Sequence, residues 1–199
     1  MTQIVVPFRG ETGKQRLDAP DSERTTLALA MLGDVLTACV ATGRTFVVTA
    51  DAVARALAEE LGAEAVDDPG GGQGAAVAAG LERADNGAVI VVNADVPCVV
   101  PHDLRTLAGT AELDAVGLVE AKDGTTNALV LPRASLFASL YGAGSANRFR
   151  DHFDAQGVMA VANVIPNLCD DVDTMDDLQR IGLRAGPRTQ AALGGMATT

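Results

Sequence analysis

Two kinds of pattern alternate along the chain. Short runs of β-branched and other apolar residues, such as VIVV at 89–92, are typical of buried strands, whereas apolar residues recurring every three or four positions are typical of helices. Strands are predicted at 3–8, 45–50, 88–94, 113–120, 127–132 and 159–165. Helices are predicted at 22–43, 51–62, 72–84, 101–109, 145–157 and 174–183.

This order predicts a single α/β domain. Continuous apolar strands need cover on both faces, which favours a three-layer sandwich with a mostly parallel sheet. Residues 110–132 carry two strand-like runs with no helix between them, which indicates an antiparallel portion. We expect the domain to span 1–184. The remaining 185–199 is rich in Gly, Ala and Thr and is expected to be a flexible tail.

Composition and charge narrow the classes of partner. The 199 residues carry a net charge of −11, which argues against a nucleic-acid surface. No apolar run approaches the roughly 18 residues of a membrane span, and the N-terminus does not resemble a signal peptide, so a soluble cytoplasmic protein is expected. The three cysteines are far apart, which favours neither a disulfide framework nor a zinc site. A small anionic substrate would need a metal ion or a local cationic cluster.

Asp95 is the first candidate for chemistry. In open α/β sheets, ligands bind outside the carboxyl ends of the parallel strands. The stretch VIVVNADVP places Asp95 just past such an end, and Pro97 prevents the strand from continuing. The alternative is that Asp95 caps the helix that starts near Pro101.

A second set of carboxylates lies in CDDVDTMDDL. Residues two apart on an extended chain point to the same side, so Asp171 and Asp173 are expected to project together while Asp170 points away. Such a pair beside Asp95 would suit Mg²⁺, which takes one or two carboxylates and completes its shell with water and phosphate oxygens. The alternative for Asp173 is to cap the following helix.

Two glycine-containing loops are candidates for binding a nucleotide. In RGETGKQRL, Lys14 can reach a phosphate, with Arg9 beside it; the alternative is a solvated loop lysine. In PGGGQG, the residues Gly72, Gln73 and Gly74 open a helix of small residues, whose exposed N–H groups favour anions or base edges. The alternative there is a mobile linker.

A polar strand start and a helix start are candidates for the second substrate. Thr126 and Asn127 open one strand, and Gly142 and Ser145 precede a helix that carries Arg148 in its first turn. A helix N-terminus with a hydroxyl and an arginine suits a carboxylate or phosphate. The alternative is a serine cap with an exposed arginine.

Taken together, several segments resemble the CofC/FbiD family of guanylyltransferases, which make the phospho-acid precursor of coenzyme F420. They are KQRLDAP, SERTTLALAMLGDVLTA, VVNADVPCVVPHDL, GTTNAL, YGAGSANR and CDDVDTMDDL, and they cover about residues 3–183. The resemblance implies a Rossmann-like sandwich of the nucleotidyltransferase type that uses GTP and Mg²⁺. It implies metal binding by Asp95, Asp171 and Asp173, phosphate contact by Lys14, and acid binding by Thr126, Gly142 and Ser145.

The implied reaction joins GMP from GTP to the phosphate of a three-carbon phospho-acid and releases pyrophosphate, with Lys14 and Asp95 as catalytic residues. Phosphoenolpyruvate is favoured as the acid, with 2-phospho-L-lactate and 3-phosphoglycerate as alternatives. The next enzyme of the F420 pathway is a candidate partner. The chain departs from the family at Gly72, Gln73 and Gly74, where a Leu-Asn pair is usual. A DxD sugar-nucleotide glycosyltransferase and a non-catalytic nucleotide-binding regulator are more distant alternatives.

Overall fold

The computed structural model of the protein describes residues 2–10 and 20–196. Its strands are β1 (Gln3–Pro7), β2 (Arg44–Thr49), β3 (Glu64–Asp67), β4 (Val89–Val92), β5 (Val116–Glu120), β6 (Thr126–Leu131) and β7 (Ala160–Ala162). Its α-helices are α1 (Asp21–Val40), α2 (Ala52–Leu61), α3 (Gln73–Leu81), α4 (Pro101–Ala111), α5 (Ser145–Ala155), α6 (Pro166–Cys169), α7 (Met175–Ile181) and α8 (Pro187–Met196). Short 3₁₀ turns lie at Ala134–Leu136 and Gly182–Arg184.

The strands form one mixed sheet in the order β3-β2-β1-β4-β6-β5-β7. Strand β1 pairs in parallel with both β2 and β4, and β5 pairs in parallel with β7. Strand β6 runs antiparallel to both of its neighbours, β4 and β5. The predicted Rossmann-like sheet, mostly parallel with an antiparallel portion, is confirmed.

The side chains of the central strand divide the core into two layers. Ile4 and Val6 pack into a buried cluster with residues of α1, α2 and α4, whereas Val5 packs into a second cluster with residues of α3 and α5. Because successive side chains on a strand point to opposite faces, each β1 residue serves one helical layer. The result is the predicted three-layer sandwich, with both sheet faces covered.

Two short elements, β3 and α6, were not among the predicted ones. Strand β3 lies at the edge of the sheet, and its sequence EAVD contains a single β-branched residue, so its pattern alone does not mark it as a strand. Helix α6 is a single turn that begins at Pro166. Strand β7, before α6, is shorter than the strand predicted at 159–165.

Helix α8 occupies most of the segment that was expected to be a flexible tail. The buried carboxylate of Asp34 accepts hydrogen bonds from the main-chain N–H groups of Arg188, at 3.0 Å, and Thr189, at 2.8 Å. These are N–H groups that a helix start leaves without an intrahelical partner. Gly186 lies directly against Asp34, since a Cβ at this position would be 2.2 Å from the Asp34 Cγ. The C-terminal segment is thereby tied to α1.

The three cysteines are free thiols. Cys39, Cys98 and Cys169 form no disulfide. Burial raises the pKa of the Cys98 and Cys169 thiols, so both are neutral at pH 7. Within the described ranges, the helices are all too short or too polar to cross a membrane.

Candidate functional site

A cavity of about 310 Å³ opens at the carboxyl ends of β1 and β4. The chain runs from β1 to β2 on one side of the sheet and places β4 on the other side, so this is the point where the strand order reverses. Ligands of open α/β sheets bind at such points. The cavity is lined by Pro7, Phe8, Arg9, Gly10, Ala28, Met31, Gln73, Asn93, Ala94 and Asp95.

Asp95 lies in the loop after β4, on the wall of this cavity. Its carbonyl oxygen accepts a hydrogen bond from the main-chain N–H of Val172 at 2.9 Å. The bond joins the loop after β4 to the segment that carries Asp171 and Asp173. The N-cap residue of α4 is Val100, not Asp95, and the N–H of Val100 donates to the Asp103 carboxylate at 3.0 Å. The structure thus brings the two predicted carboxylate segments together.

Asp171 is a partly buried carboxyl group beside Asp95. Burial and the negative charge of Asp95 raise its pKa to about 6, and the charge of Asp173 adds to the rise. A hydrogen bond from the Asn127 side chain acts in the opposite direction. When Asp171 ionises, above about pH 6, its negative charge lies beside that of Asp95 in a partly buried place, which favours a cation between them.

The three predicted metal ligands are not gathered into one ready-made site. Across residues 2–10 and 20–196, the side chains of His, Cys, Asp and Glu form no group of three that could hold a metal ion. Asp95 and Asp171 nevertheless fit Mg²⁺, because this ion commonly takes one or two carboxylates and completes its shell with water and substrate phosphate. Asp173 contributes charge nearby.

Asp170 points away from the cavity, as expected, into a cluster of cations. It forms ion pairs with Lys122 at 2.8 Å, with Arg184 at 2.5 Å, and with Arg180. Burial alone would raise the pKa of Asp170, but hydrogen bonds from Lys122 and Arg184 and the charge of Arg180 outweigh it and lower the pKa to about 2. Asp170 thus anchors the start of the carboxylate segment to β5–β6 and to α7.

Helix α7 does not use Asp173 as its cap. Thr174 is the N-cap residue, and its side chain accepts a hydrogen bond from the N–H of Asp177 at 3.2 Å. The Asp177 carboxylate in turn accepts from the N–H groups of Thr174, at 2.9 Å, and Asp173, at 3.2 Å. This reciprocal arrangement leaves capping to Thr174 and Asp177.

A row of side-chain amides runs from the cavity wall into the core. Gln73 donates from Nε2 to Oδ1 of Asn93 at 2.7 Å, and Asn93 donates from Nδ2 to Oδ1 of Asn127 at 3.5 Å. Asn127 is 1% exposed, and its side chain hydrogen-bonds to Asn93 and Asp171; its predicted contact with substrate stays a prediction. Asn93 was not among the predicted site residues. Its position as the first polar residue after VIVV could have marked it as a site residue.

The predicted acid-binding residues meet at the start of α5. Ser145 donates from Oγ to Oγ1 of Thr126 at 3.0 Å, and both hydroxyls are buried. Gly142 has a φ of 112°, a conformation that favours glycine.

Arg148 holds the loop at 140–143, before α5. Its guanidinium donates to the carbonyl oxygens of Leu140 at 2.8 Å, Tyr141 at 3.2 Å and Ala143 at 2.5 Å. These hydrogen bonds show that Arg148 supports the loop, and its contact with substrate stays a prediction.

Of the predicted nucleotide-binding residues, Arg9 and Gln73 line the cavity, and Gly72 and Gly74 flank Gln73 in the sequence. Arg9 reaches Gly72, where a Cβ would be 3.1 Å from its guanidinium nitrogen. At Gly74 a Cβ would be 1.6 Å from the Ser139 Oγ, so only glycine allows the start of α3 to pack against Ser139. Lys14, predicted to contact phosphate, lies outside the described residues.

Solved structures of low sequence identity share the fold. A protein described as a nucleotide-diphospho-sugar transferase, from Desulfovibrio desulfuricans G20, superposes with a TM-score of 0.79 at 15% identity, covering 99% of this chain and 95% of that one. A glucosyl-3-phosphoglycerate synthase from Mycobacterium tuberculosis, in complex with Mn²⁺, UDP-glucose and phosphoglyceric acid, gives 0.58 at 14% identity, covering 81% and 69%. The nucleotidyltransferase-like fold is therefore confirmed.

Sequence relatives define the family. Phosphoenolpyruvate guanylyltransferases of Streptomyces coelicolor and Streptomyces scabiei are 37% and 34% identical, covering 94% and 95% of this chain and 93% and 94% of their own. A 2-phospho-L-lactate guanylyltransferase of Natrialba magadii is 33% identical, covering 98% of this chain and 89% of its own. The family model described as "Guanylyl transferase CofC like" matches residues 2–191. The chain therefore belongs to the CofC-like guanylyl transferase family.

Proposed function

We propose that this protein transfers GMP from GTP to the phosphate of a three-carbon phospho-acid and releases pyrophosphate, as a step of coenzyme F420 biosynthesis. The observation that carries the proposal is the nearness of Asp171 to Asp95, which lines the cavity, in a chain of this family. In the reaction, an oxygen of the acid's phosphate bonds to the α-phosphorus of GTP. The bond from that phosphorus to the bridging oxygen breaks, and the electron pair leaves with pyrophosphate.

The reaction needs positioning and charge more than proton transfer. The phosphate of the acid is already ionised at neutral pH, so its attack requires no general base. The barrier comes from bringing two anions together and from the charge that develops on pyrophosphate, and both are reduced by fixed opposite charge. The chain has two histidines, His102 and His152, and neither lines the cavity, which is consistent with this chemistry.

Asp95 and Asp171 are the residues that would hold Mg²⁺, with Asp173 close enough to contribute charge. Mg²⁺ bound there would supply the positive charge that screens the two phosphates from each other. The hydrogen bond from Val172 to Asp95 keeps the two carboxylate segments at a fixed separation, so the site is preorganised before substrate arrives.

Arg9, on the cavity wall, and Lys14, which follows it in the sequence, are the cations proposed for the triphosphate. The net charge of −11 makes such local cations necessary, because the chain as a whole repels anions. We assign the acid to the start of α5, where Gly142, Ser145 and Thr126 surround a helix N-terminus. Since the Ser145 and Thr126 hydroxyls are buried and bonded to each other, the loop must shift for either to contact the acid.

Phosphoenolpyruvate is the favoured acid, since several of the most similar relatives carry that substrate in their names. One relative is named for 2-phospho-L-lactate, which differs at the carbon that bears the phosphate, and 3-phosphoglycerate is the remaining alternative. We place the reaction in the cytoplasm, and the enzyme that consumes the guanylylated acid is the proposed functional partner.

A pyrophosphate-release assay tests the proposal. GTP, ATP, CTP and UTP are each combined with each of the three acids in the presence of Mg²⁺, and reactions without an acid give the background. We expect release only with GTP, and fastest with phosphoenolpyruvate. No release with any acid, or hydrolysis of UDP-glucose in their absence, would contradict a guanylyltransferase and favour a sugar-nucleotide enzyme.

A further inference from the structure

In the row of side-chain amides that starts at the cavity wall, each amide is held with its oxygen and nitrogen in fixed positions. Asn127 donates from Nδ2 to the carbonyl oxygen of Leu168 at 3.0 Å and also to the Asp171 carboxylate. Asn93 donates from Nδ2 to the carbonyl oxygen of Thr126 at 3.2 Å. Carbonyl and carboxylate oxygens only accept, so the nitrogens of both asparagines must face them and their oxygens must face the opposite way.

This direction extends to Gln73. Because Oδ1 of Asn93 faces Gln73, the glutamine must turn its NH₂ group toward Asn93, as it does at 2.7 Å. A glutamine amide can ordinarily rotate by half a turn and exchange donor for acceptor. Here such a rotation would set two oxygens against each other. The carbonyl oxygen of Gln73 is thereby held as an acceptor, and the second Nε2 hydrogen remains a donor.

Gln73 presents these atoms at the cavity. It is the first residue of α3 and lines the cavity together with Asn93 and Arg9. The position of α3 is fixed, because Gly74 lies too close to Ser139 for any side chain. In the described part of the chain, Oε1 of Gln73 accepts no hydrogen bond, so it is available to a ligand.

The two purine bases differ in the feature that a fixed amide detects. Guanine presents the O6 acceptor beside the N1–H donor, whereas adenine presents the N6–H₂ donor beside the N1 acceptor. A freely rotating amide can pair with either base, but an amide of fixed direction fits only one of the two orders. A mismatched order leaves a buried donor or acceptor without a partner, which is a strong basis for rejection.

We propose that Gln73, fixed in direction by Asn93 and Asn127, is the specificity-determining residue that selects guanine over adenine in the nucleoside triphosphate. Gln73 accepts from N1–H and donates to O6, while the two asparagines are positioning residues. This inference rests on the proposed function, since the guanylyl substrate decides which of the two orders is read. It also gives a role to Gln73 at the point where the chain departs from the Leu-Asn pair expected there.

The test compares GTP with ATP within each protein sample. Wild type, Gln73→Leu and Asn93→Ala are assayed for kcat/KM with both nucleotides and one acid, and Kd for GTP and ATP is measured by calorimetry. Gln156→Leu, at an exposed glutamine at the end of α5, is the control and should match the wild type. A loss of folding or of the metal site lowers kcat/KM for both nucleotides together. Only a change in selectivity therefore alters the ratio of kcat/KM for GTP to kcat/KM for ATP.

We expect the GTP to ATP ratio to fall about tenfold or more in Gln73→Leu, through loss of GTP binding. In Asn93→Ala the same ratio should fall because kcat/KM for ATP rises relative to that for GTP, since Gln73 can then rotate. A ratio within about twofold of wild type in Gln73→Leu, by kinetics and by Kd, would overturn the inference while leaving guanylyl transfer intact. Absence of GTP turnover in the wild type would instead overturn the proposed function and this inference with it.

Discussion

The main-chain N–H of Val172 donates a hydrogen bond of 2.9 Å to the carbonyl oxygen of Asp95, and this contact holds together two carboxylate segments that are far apart in sequence. Val172 is fully buried, so the bond lies in a place where water does not compete for it. The separation of Asp95 from Asp171 is therefore a property of the folded protein before any substrate binds.

Replacement of Asp95 by Asn should lower turnover by about a hundredfold or more, because the variant keeps the shape of the side chain but removes the charge that would hold the metal. The thermal midpoint should change little. Steady-state pyrophosphate release and circular dichroism measure the two quantities. Asp154→Asn, at an exposed position of α5, should behave as wild type. Near-normal turnover of the Asp95 variant with Mg²⁺ would exclude this role.

Removal of divalent metal by EDTA should abolish pyrophosphate release, and added Mg²⁺ should restore it. In Asp171→Asn the Mg²⁺ concentration for half-maximal rate should rise about tenfold or more, because one of the two proposed ligands is lost. The measurement is the rate as a function of free Mg²⁺. Asp176→Asn, at an exposed carboxylate of α7, serves as the control. An unchanged Mg²⁺ requirement in the Asp171 variant would remove Asp171 from the metal site.

Lys14→Ala should reduce the maximal rate more than it weakens binding of the acid, because Lys14 is proposed to act on the triphosphate. The rate and KM for phosphoenolpyruvate at saturating GTP separate the two effects. Lys122→Ala is a matched control, since Lys122 is paired with Asp170 and is assigned no contact with substrate. A selective rise in the KM for the acid would move Lys14 to the acid pocket.

Stability should fall as the solution becomes acidic, in part through Asp170. Its pKa is about 2 in the folded protein against an ordinary 3.8, so its ion pairs stabilise the fold fully above about pH 5 and are lost as the pH falls toward 2. Asp170→Asn should lower the free energy of unfolding at pH 7 and have a smaller effect near pH 2. Urea unfolding at the two pH values measures the difference. Equal losses at both would show that the charge of Asp170 is not what matters.

Gly80→Ala should destabilise the protein by about 1–3 kcal/mol. A Cβ at Gly80 would be 2.4 Å from a methyl of Val5 and 2.9 Å from a methyl of Val48, so α3 would have to move away from the sheet. Gly109→Ala is the matched helical control, since a Cβ there would meet nothing within 4 Å, and it should be neutral or stabilise by up to about 1 kcal/mol. Thermal unfolding of both variants compares them.

The sequence predicted those elements whose pattern is local. Strand β4 is a continuous apolar run with a polar residue and a proline beyond it, so both the strand and the candidate role of Asp95 could be inferred. Strand β3 and helix α6 are too short to show a period. Helix α8 depends on Asp34, which is distant in sequence and gives no sign in the tail itself.

The site was predictable only in part for the same reason. The identities of Asp95 and Asp171 indicated a metal site, but their nearness rests on the Val172 contact, which no local pattern shows. The roles of Asn127 and Arg148 depend on what their polar atoms meet. A buried amide and a guanidinium occupied by loop carbonyls look, in the sequence, the same as groups that bind substrate.

The pairing of Asp34 with the start of α8 has a consequence for synthesis on the ribosome. The carboxylate of Asp34 on α1 needs the N–H groups of Arg188 and Thr189, which are translated 154 and 155 residues later. Until then Asp34 must stay hydrated, which keeps one side of α1 from closing against the rest of the nascent chain. This contact is therefore expected to form only once α8 has left the ribosome, and ribosomes stalled upstream of α8 should display a protease-sensitive intermediate.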